Sequence, residues 1–132
     1  MIVLDASAVL ELLLRSQGSA VVERHIASGD ETLHAPHLLD LEVAQVLRRF
    51  CATEALDPER AWTALEDLRE LDIERYPHEP MLDRIWQLRS NVTAYDAAYL
   101  ALAEALGARL LTFDARLARA TGHRARIELL AG

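Results

Sequence analysis

Short apolar runs alternate with amphipathic stretches along this chain, and that alternation limits its fold more than any other feature. Ile2-Val3-Leu4 leads directly into Asp5 and reads as a buried strand. Ala6 to Arg15 carries Val9, Leu10, Leu13 and Leu14 at helical spacing. Gln17-Gly18-Ser19 breaks that helix, and a second one runs to about Ser28, where Gly29-Asp30 ends it. Thr32 to Ala35 predicts a strand closed by Pro36. From Leu38 to about Thr53, Leu39, Val43, Val46, Leu47 and Phe50 share one helical face. Asp57-Pro58-Glu59 has the form of an N-cap with proline in the first turn, opening a helix to about Leu71. Asp72 to Tyr76 predicts a strand, and Glu79 to Leu88 a helix. Asn91 or Thr93 opens the next helix, which ends at Gly107. Arg109 to Phe113 predicts a strand, Ala115 to Ala120 a short helix, and Ile127 to Leu129 a last strand.

This order predicts an α/β domain with a mostly parallel sheet of about five strands and right-handed crossovers. The 132 residues fit one domain, with no linker, repeat or low-complexity segment. A single cysteine, Cys51, excludes an internal disulfide framework and fits a reducing compartment. The N-terminus lacks the form of a signal peptide, and no apolar run approaches the ~18 residues of a membrane helix. These features predict a cytoplasmic protein with no membrane partner.

In open parallel sheets the functional site lies outside the carboxyl ends of the strands. Asp5 and Asp114 both stand where a strand is expected to end. Each also has a structural alternative at even odds, since an aspartate between strand and helix caps the helix. Thr93-Ala94-Tyr95-Asp96 has capping-box spacing, so Asp96 by itself is more readily structural. Glu42 is different: it lies inside a helix, beside the apolar face, in line with Gln45 and Arg49. A carboxylate there needs a partner, and Arg49 is the candidate. Asp40 points elsewhere and reads as solvated. Were the four acids to converge, each ionised pair at ~5 Å and an effective dielectric of ~20 would cost roughly 3 kcal/mol. Such a cluster persists by taking up protons or by binding a hard cation, for which oxygen-only ligands suit Mg²⁺ or Mn²⁺. Ser7, Thr93 and Thr112 are placed to add hydroxyls or orient the acids from behind.

Four stretches together carry a family resemblance. They are Val3-Leu4-Asp5-Ala6-Ser7-Ala8, Glu42-Val43-Ala44 with Leu47-Arg48-Arg49, Thr93-Ala94-Tyr95-Asp96-Ala97-Ala98-Tyr99-Leu100-Ala101-Leu102-Ala103, and Leu111-Thr112-Phe113-Asp114-Ala115-Arg116-Leu117. The chain resembles a PIN domain over nearly its whole length, specifically a VapC-type toxin of the VapBC toxin–antitoxin systems. Gln45 departs from the family's frequent asparagine, and the resemblance implies a place for it with those three residues behind the acids. The resemblance implies a PIN-like doubly wound sheet, with residues 1–132 as a single PIN domain. It implies Mg²⁺ or Mn²⁺ held by Asp5, Glu42, Asp96 and Asp114, as catalytic residues of an endoribonuclease. It also implies an RNA substrate, a homodimer, and a cognate VapB-type antitoxin that inhibits the enzyme. Which acid serves as general base stays open.

The formal net charge of −7 argues against a nucleic-acid binder, but all 14 basic residues are arginine and their distribution decides. Arg15, Arg49, Arg89 and Arg116 are candidates for holding flanking phosphates, although for any single one a surface salt bridge is the better expectation. His25, His34, His37, His78 and His123 show no ligand spacing and read as surface or packed residues. Trp62 and Trp86 are expected in the core or at a dimer contact. A haloacid-dehalogenase-like phosphatase would need a second aspartate at the position of Ser7, and a receiver domain would need a lysine, of which there is none. The remaining rival is a PIN fold kept as a binding module without turnover.

Overall fold

The computed structural model describes residues 1–131. Its elements follow in the order β1 (Ile2–Leu4), α1 (Ala6–Leu14), α2 (Ser19–Ile26), β2 (Leu33–Pro36), α3 (Leu38–Ala52), α4 (Pro58–Glu70), β3 (Ile73–Tyr76), α5 (Leu82–Gln87), α6 (Ala94–Leu106), β4 (Arg109–Thr112), α7 (Ala115–Ala118) and β5 (Arg126–Leu129). The five strands form one all-parallel sheet in the order β3-β2-β1-β4-β5. No helix among the described residues is long and apolar enough to cross a membrane.

Strand alternation divides the core into two layers. Ile2, Leu4 and Leu111 face α1, α2, α3 and α4, where Val9, Leu13, Val22, Val43, Leu47 and Leu68 close over them. Val3 and Leu110 face the opposite way, onto α6, with Ile85, Leu88 and Leu117 completing that layer. Seven successive residues of α6, Ala97 to Ala103, are buried. Four of them are alanine, and their small side chains let the helix lie close over the middle of the sheet. Gly107 ends α6 in the left-handed region at φ 62°, where a Cβ would be strained.

Two sequence expectations need correction and a third is narrowed. The helix expected over Glu79–Leu88 begins as a separate 3₁₀ turn, Glu79–Met81, closed by the Met81 N–H on the His78 carbonyl. Proline-80 has no N–H to give, and the tighter turn suits it. Of the two places expected for Trp62 and Trp86, the core and a dimer contact, the core is excluded: they are 56% and 67% exposed. Each lies beside the apolar stripe of its helix rather than on it, and each is covered by an arginine, Arg69 over Trp62 at 5.9 Å and Arg89 over Trp86 at 4.7 Å. Asp40 is not merely solvated, because Arg75 grips it with Nε and Nη2 at 2.8 and 2.9 Å.

The chain turns outward from β1 to β2 on one side, then crosses from β3 through α6 to β4 on the other. The direction of winding therefore reverses between β1 and β4. That is the crevice where open α/β sheets hold their ligands.

Candidate active site

Asp5 leaves the end of β1 and caps α1, its Oδ1 accepting the Ala8 N–H at 3.1 Å. Asp114 stands just beyond β4 and caps α7 through the N–H groups of Arg116 and Leu117. Thr93 caps α6 by accepting the Asp96 N–H at 3.2 Å, which sets Asp96 in the first turn. The capping alternatives for Asp5 and Asp114 are thus true. They do not compete with a role in the site, because capping is what aims both residues at the crevice. Glu42 comes from the opposite side. Leu39, Val43 and Leu47 pin α3 to the core, and Glu42 on the flank of that stripe lies one turn in from the end of β2.

The four acids line one cavity of about 140 Å³, together with Ala6, Ser7, Tyr99 and Arg116. Asp5 is almost fully buried and is held from three directions. Ser7 Oγ donates to its Oδ1 at 2.6 Å, and Thr112 Oγ1 donates to its Oδ2. Ser7 Oγ also accepts the Phe113 N–H at 2.9 Å, and Thr112 Oγ1 accepts the Asp114 N–H at 2.9 Å. Two hydroxyls thereby lock the end of β1 to the end of β4. Of the four residues expected to orient the acids, Ser7 and Thr112 hold Asp5, and Thr93 holds the backbone of Asp96. Gln45 is exposed on the neighbouring groove and hydrogen-bonds to none of the acids among the described residues.

The partner of Glu42 is Tyr99, whose hydroxyl donates to Oε1 at 2.7 Å, and not Arg49. Arg49 lines the adjacent groove together with Leu41, Glu42 and Tyr95. Tyr99 had no assigned role in the sequence reading. The available signal was its position: it is three residues after Asp96, hence on the same helical face, and it carries the only hydroxyl in the buried Ala97–Ala103 stretch. A buried tyrosine hydroxyl requires a partner.

Burial pushes the Asp5 carboxyl above its ordinary value; the bonds from Ser7, Thr112 and Ala8 oppose this, and the Asp114 charge adds to it. Burial also raises Glu42, against the Tyr99 bond, and the charges of Asp5 and Asp96 push it further. Tyr99 is raised as well, by burial and by the Glu42 charge, so it stays protonated as a donor. The cavity is short of positive charge. Its one cationic wall is Arg116, whose Nη1 donates to Asp96 Oδ2 at 2.8 Å and whose Nη2 donates to Asp114 Oδ2 at 3.2 Å. The expected surface salt bridge of Arg116 is therefore present, and it falls on two of the four acids.

Among the described residues no three acidic, histidine or cysteine side chains close on a point as a ready metal cage. The donor set nevertheless fits a hard divalent cation. All the donors are carboxylate oxygens, two of them are held above their ordinary pKa by burial and mutual repulsion, and the hydroxyl partners that would orient them are in place.

A PIN-domain family model matches residues 2–122 of the chain. Ribonuclease VapC12 of Mycobacterium tuberculosis (strain ATCC 25618 / H37Rv) is 42% identical over 131 residues, spanning 99% of this chain and 100% of that protein. Ribonuclease VapC1 of the same strain is 46% identical over 129 residues, spanning 97% of this chain and 96% of that protein. Among solved structures, VapBC2 from Rickettsia felis, bound to a DNA fragment from their promoter, aligns with a TM-score of 0.69 at 13% identity, covering 98% of each chain. At that identity the likeness is one of fold.

Proposed function

The chain belongs to the PIN-domain family, on its VapC branch, and from that membership and the acid cavity we propose that it is a metal-dependent endoribonuclease, the toxin of a VapBC-type pair. The observation that carries this reading is the convergence of Asp5, Glu42, Asp96 and Asp114, from four separate elements, on one cavity at the crevice between β1 and β4. In it residues 1–132 act as a single PIN domain in the cytoplasm.

Asp5, Glu42, Asp96 and Asp114 would hold Mg²⁺ or Mn²⁺, directly or through water. When bound, such an ion polarises a phosphoryl oxygen, offsets charge developing on it and lowers the pKa of a water nucleophile. The protein's own part is positional. Ser7 and Thr112 keep Asp5 turned into the cavity, Tyr99 keeps Glu42 there, and the caps of α6 and α7 fix Asp96 and Asp114. An acid that holds the ion only through water would take the proton of the attacking water, and the departing 3′-oxygen would take one from solvent. Attack by water leaves a 5′-phosphate and a 3′-hydroxyl.

The test is cleavage of total RNA with Mg²⁺ or Mn²⁺, with EDTA and Asp96→Asn as controls. Loss of cleavage in both controls is the expected result. Cleavage that survived both would sink the metal–carboxylate mechanism, and bound metal without cleavage of any RNA would favour a binding module. A map of the cut sites would identify the target.

The same reading supplies the partners: RNA as substrate, a second copy of the chain in a homodimer, and a VapB-type antitoxin. The acid cavity and the net charge of −7 favour an antitoxin that inserts a basic segment, with an arginine on the acids where metal or substrate would bind. A complex whose cavity is empty of antitoxin would refute that arrangement.

A further inference from the structure

Resting on that reading, we propose that Arg116 is the resident counter-cation of the acid cavity and competes with the divalent ion for Asp96 and Asp114. Asp114 Oδ1 is committed to the start of α7, where it accepts the N–H groups of Arg116 at 2.9 Å and Leu117 at 3.4 Å. Only Oδ2 is left to face the cavity, and Arg116 Nη2 occupies it. Asp96 gives its Oδ2 to Nη1 of the same guanidinium. The fork thus spans the two acids, taking the one Asp114 oxygen that the α7 cap leaves free and one of the two oxygens of Asp96.

The arrangement suits exchange rather than permanent structure. The Arg116 backbone is anchored, because its own N–H is bound by Asp114. Its side chain lies on the rim and is 62% exposed, whereas Asp96 is only 14% exposed. The guanidinium can leave for solvent at little cost, while the acids stay. With it in place, repulsion within the cavity is partly neutralised and the protein tolerates its acids without metal. With a divalent ion bound, the two cations repel and the arginine is released.

The experiment measures Mn²⁺ binding to the full chain without RNA, through the loss of the free-ion electron paramagnetic resonance signal. Arg116→Ala, Arg116→Lys and Arg49→Ala are compared with the unaltered protein, each first shown folded by a cooperative thermal melt. Arg116→Ala is expected to bind Mn²⁺ tighter by about three- to tenfold, the range that two partly exposed ion pairs supply. Arg116→Lys keeps the charge but loses the fork and falls between. Arg49→Ala removes an equal charge that touches none of the four acids, and stays within about twofold. In a parallel ¹⁵N NMR titration with Mg²⁺, the Arg116 guanidinium signals move to those of a free, rapidly rotating side chain. Equal or weaker Mn²⁺ binding by Arg116→Ala overturns the competition and leaves the metal-dependent reading standing. So does an equal gain from Arg49→Ala. Absence of Mn²⁺ binding to any of the folded proteins overturns both.

Discussion

Thr112 is the side chain on which most of the site depends. It is completely buried, donates to Asp5 and accepts from the Asp114 backbone, so it couples two acids from strands that meet only in the fold. Thr112→Val keeps its shape and removes both bonds. It should lower divalent-ion affinity by roughly 10- to 100-fold, and leaving two buried groups unpaired should cost about 1–3 kcal/mol each in a urea melt. Glu42 and Asp5 give a pH prediction whose sign follows from their raised pKa values. Each binds its proton more tightly folded than unfolded, so its contribution is full below the ordinary carboxylate pKa and is lost as the pH rises through the raised value. In EDTA these two groups should contribute less stability as the pH rises above the ordinary carboxylate range, opposite in sign to Glu104, which Arg84 holds low. Glu42→Gln, with the Tyr99 bond kept on the amide oxygen, should flatten that slope. A slope that is the same in both proteins would contradict this. Mn²⁺ affinity should rise over the same pH interval, since binding must expel the protons.

At the scale of elements, the caps are the devices that turn a parallel sheet into a site. Thr93→Ala should cost α6 about 1 kcal/mol and loosen Asp96. Both effects are checked together by a chemical melt and a Mn²⁺ titration. The strands and helices were largely legible in the sequence, because strands buried on both faces read as continuous apolar runs and the helices carry caps and breakers. Asp57, Thr93, Gly107 and the acids at the strand ends all act where the pattern places them. What the pattern could not carry was pairing across the fold. Glu42 was seen to need a partner, but a linear pattern offers only neighbours on the same helix, such as Arg49. The actual partner, Tyr99, is 57 residues away on the opposite layer. Asp40 with Arg75, and Arg116 with Asp96, escaped for the same reason. The two tryptophans stay out of the core because each sits just off the buried stripe, where an arginine covers it.

For the molecule as a whole, binding to the native state alone stabilises it by mass action. Mg²⁺ at 100 times its dissociation constant should therefore add about 2.7 kcal/mol to the unfolding free energy, and EDTA should remove it. Asp5→Asn, with one of the four proposed donors lost, should show almost none of that shift in a thermal melt. Strand order has a consequence in time. The strand made first, β1, lies at the centre of the sheet, and Leu4 pairs with Leu111. Asp5 waits for a hydroxyl that is 107 residues further along the chain. A ribosome must therefore release β4 and Asp114 before the crevice exists. On the proposed function, a nascent chain of this topology cannot cut the messenger that encodes it before Asp114 has left the ribosome.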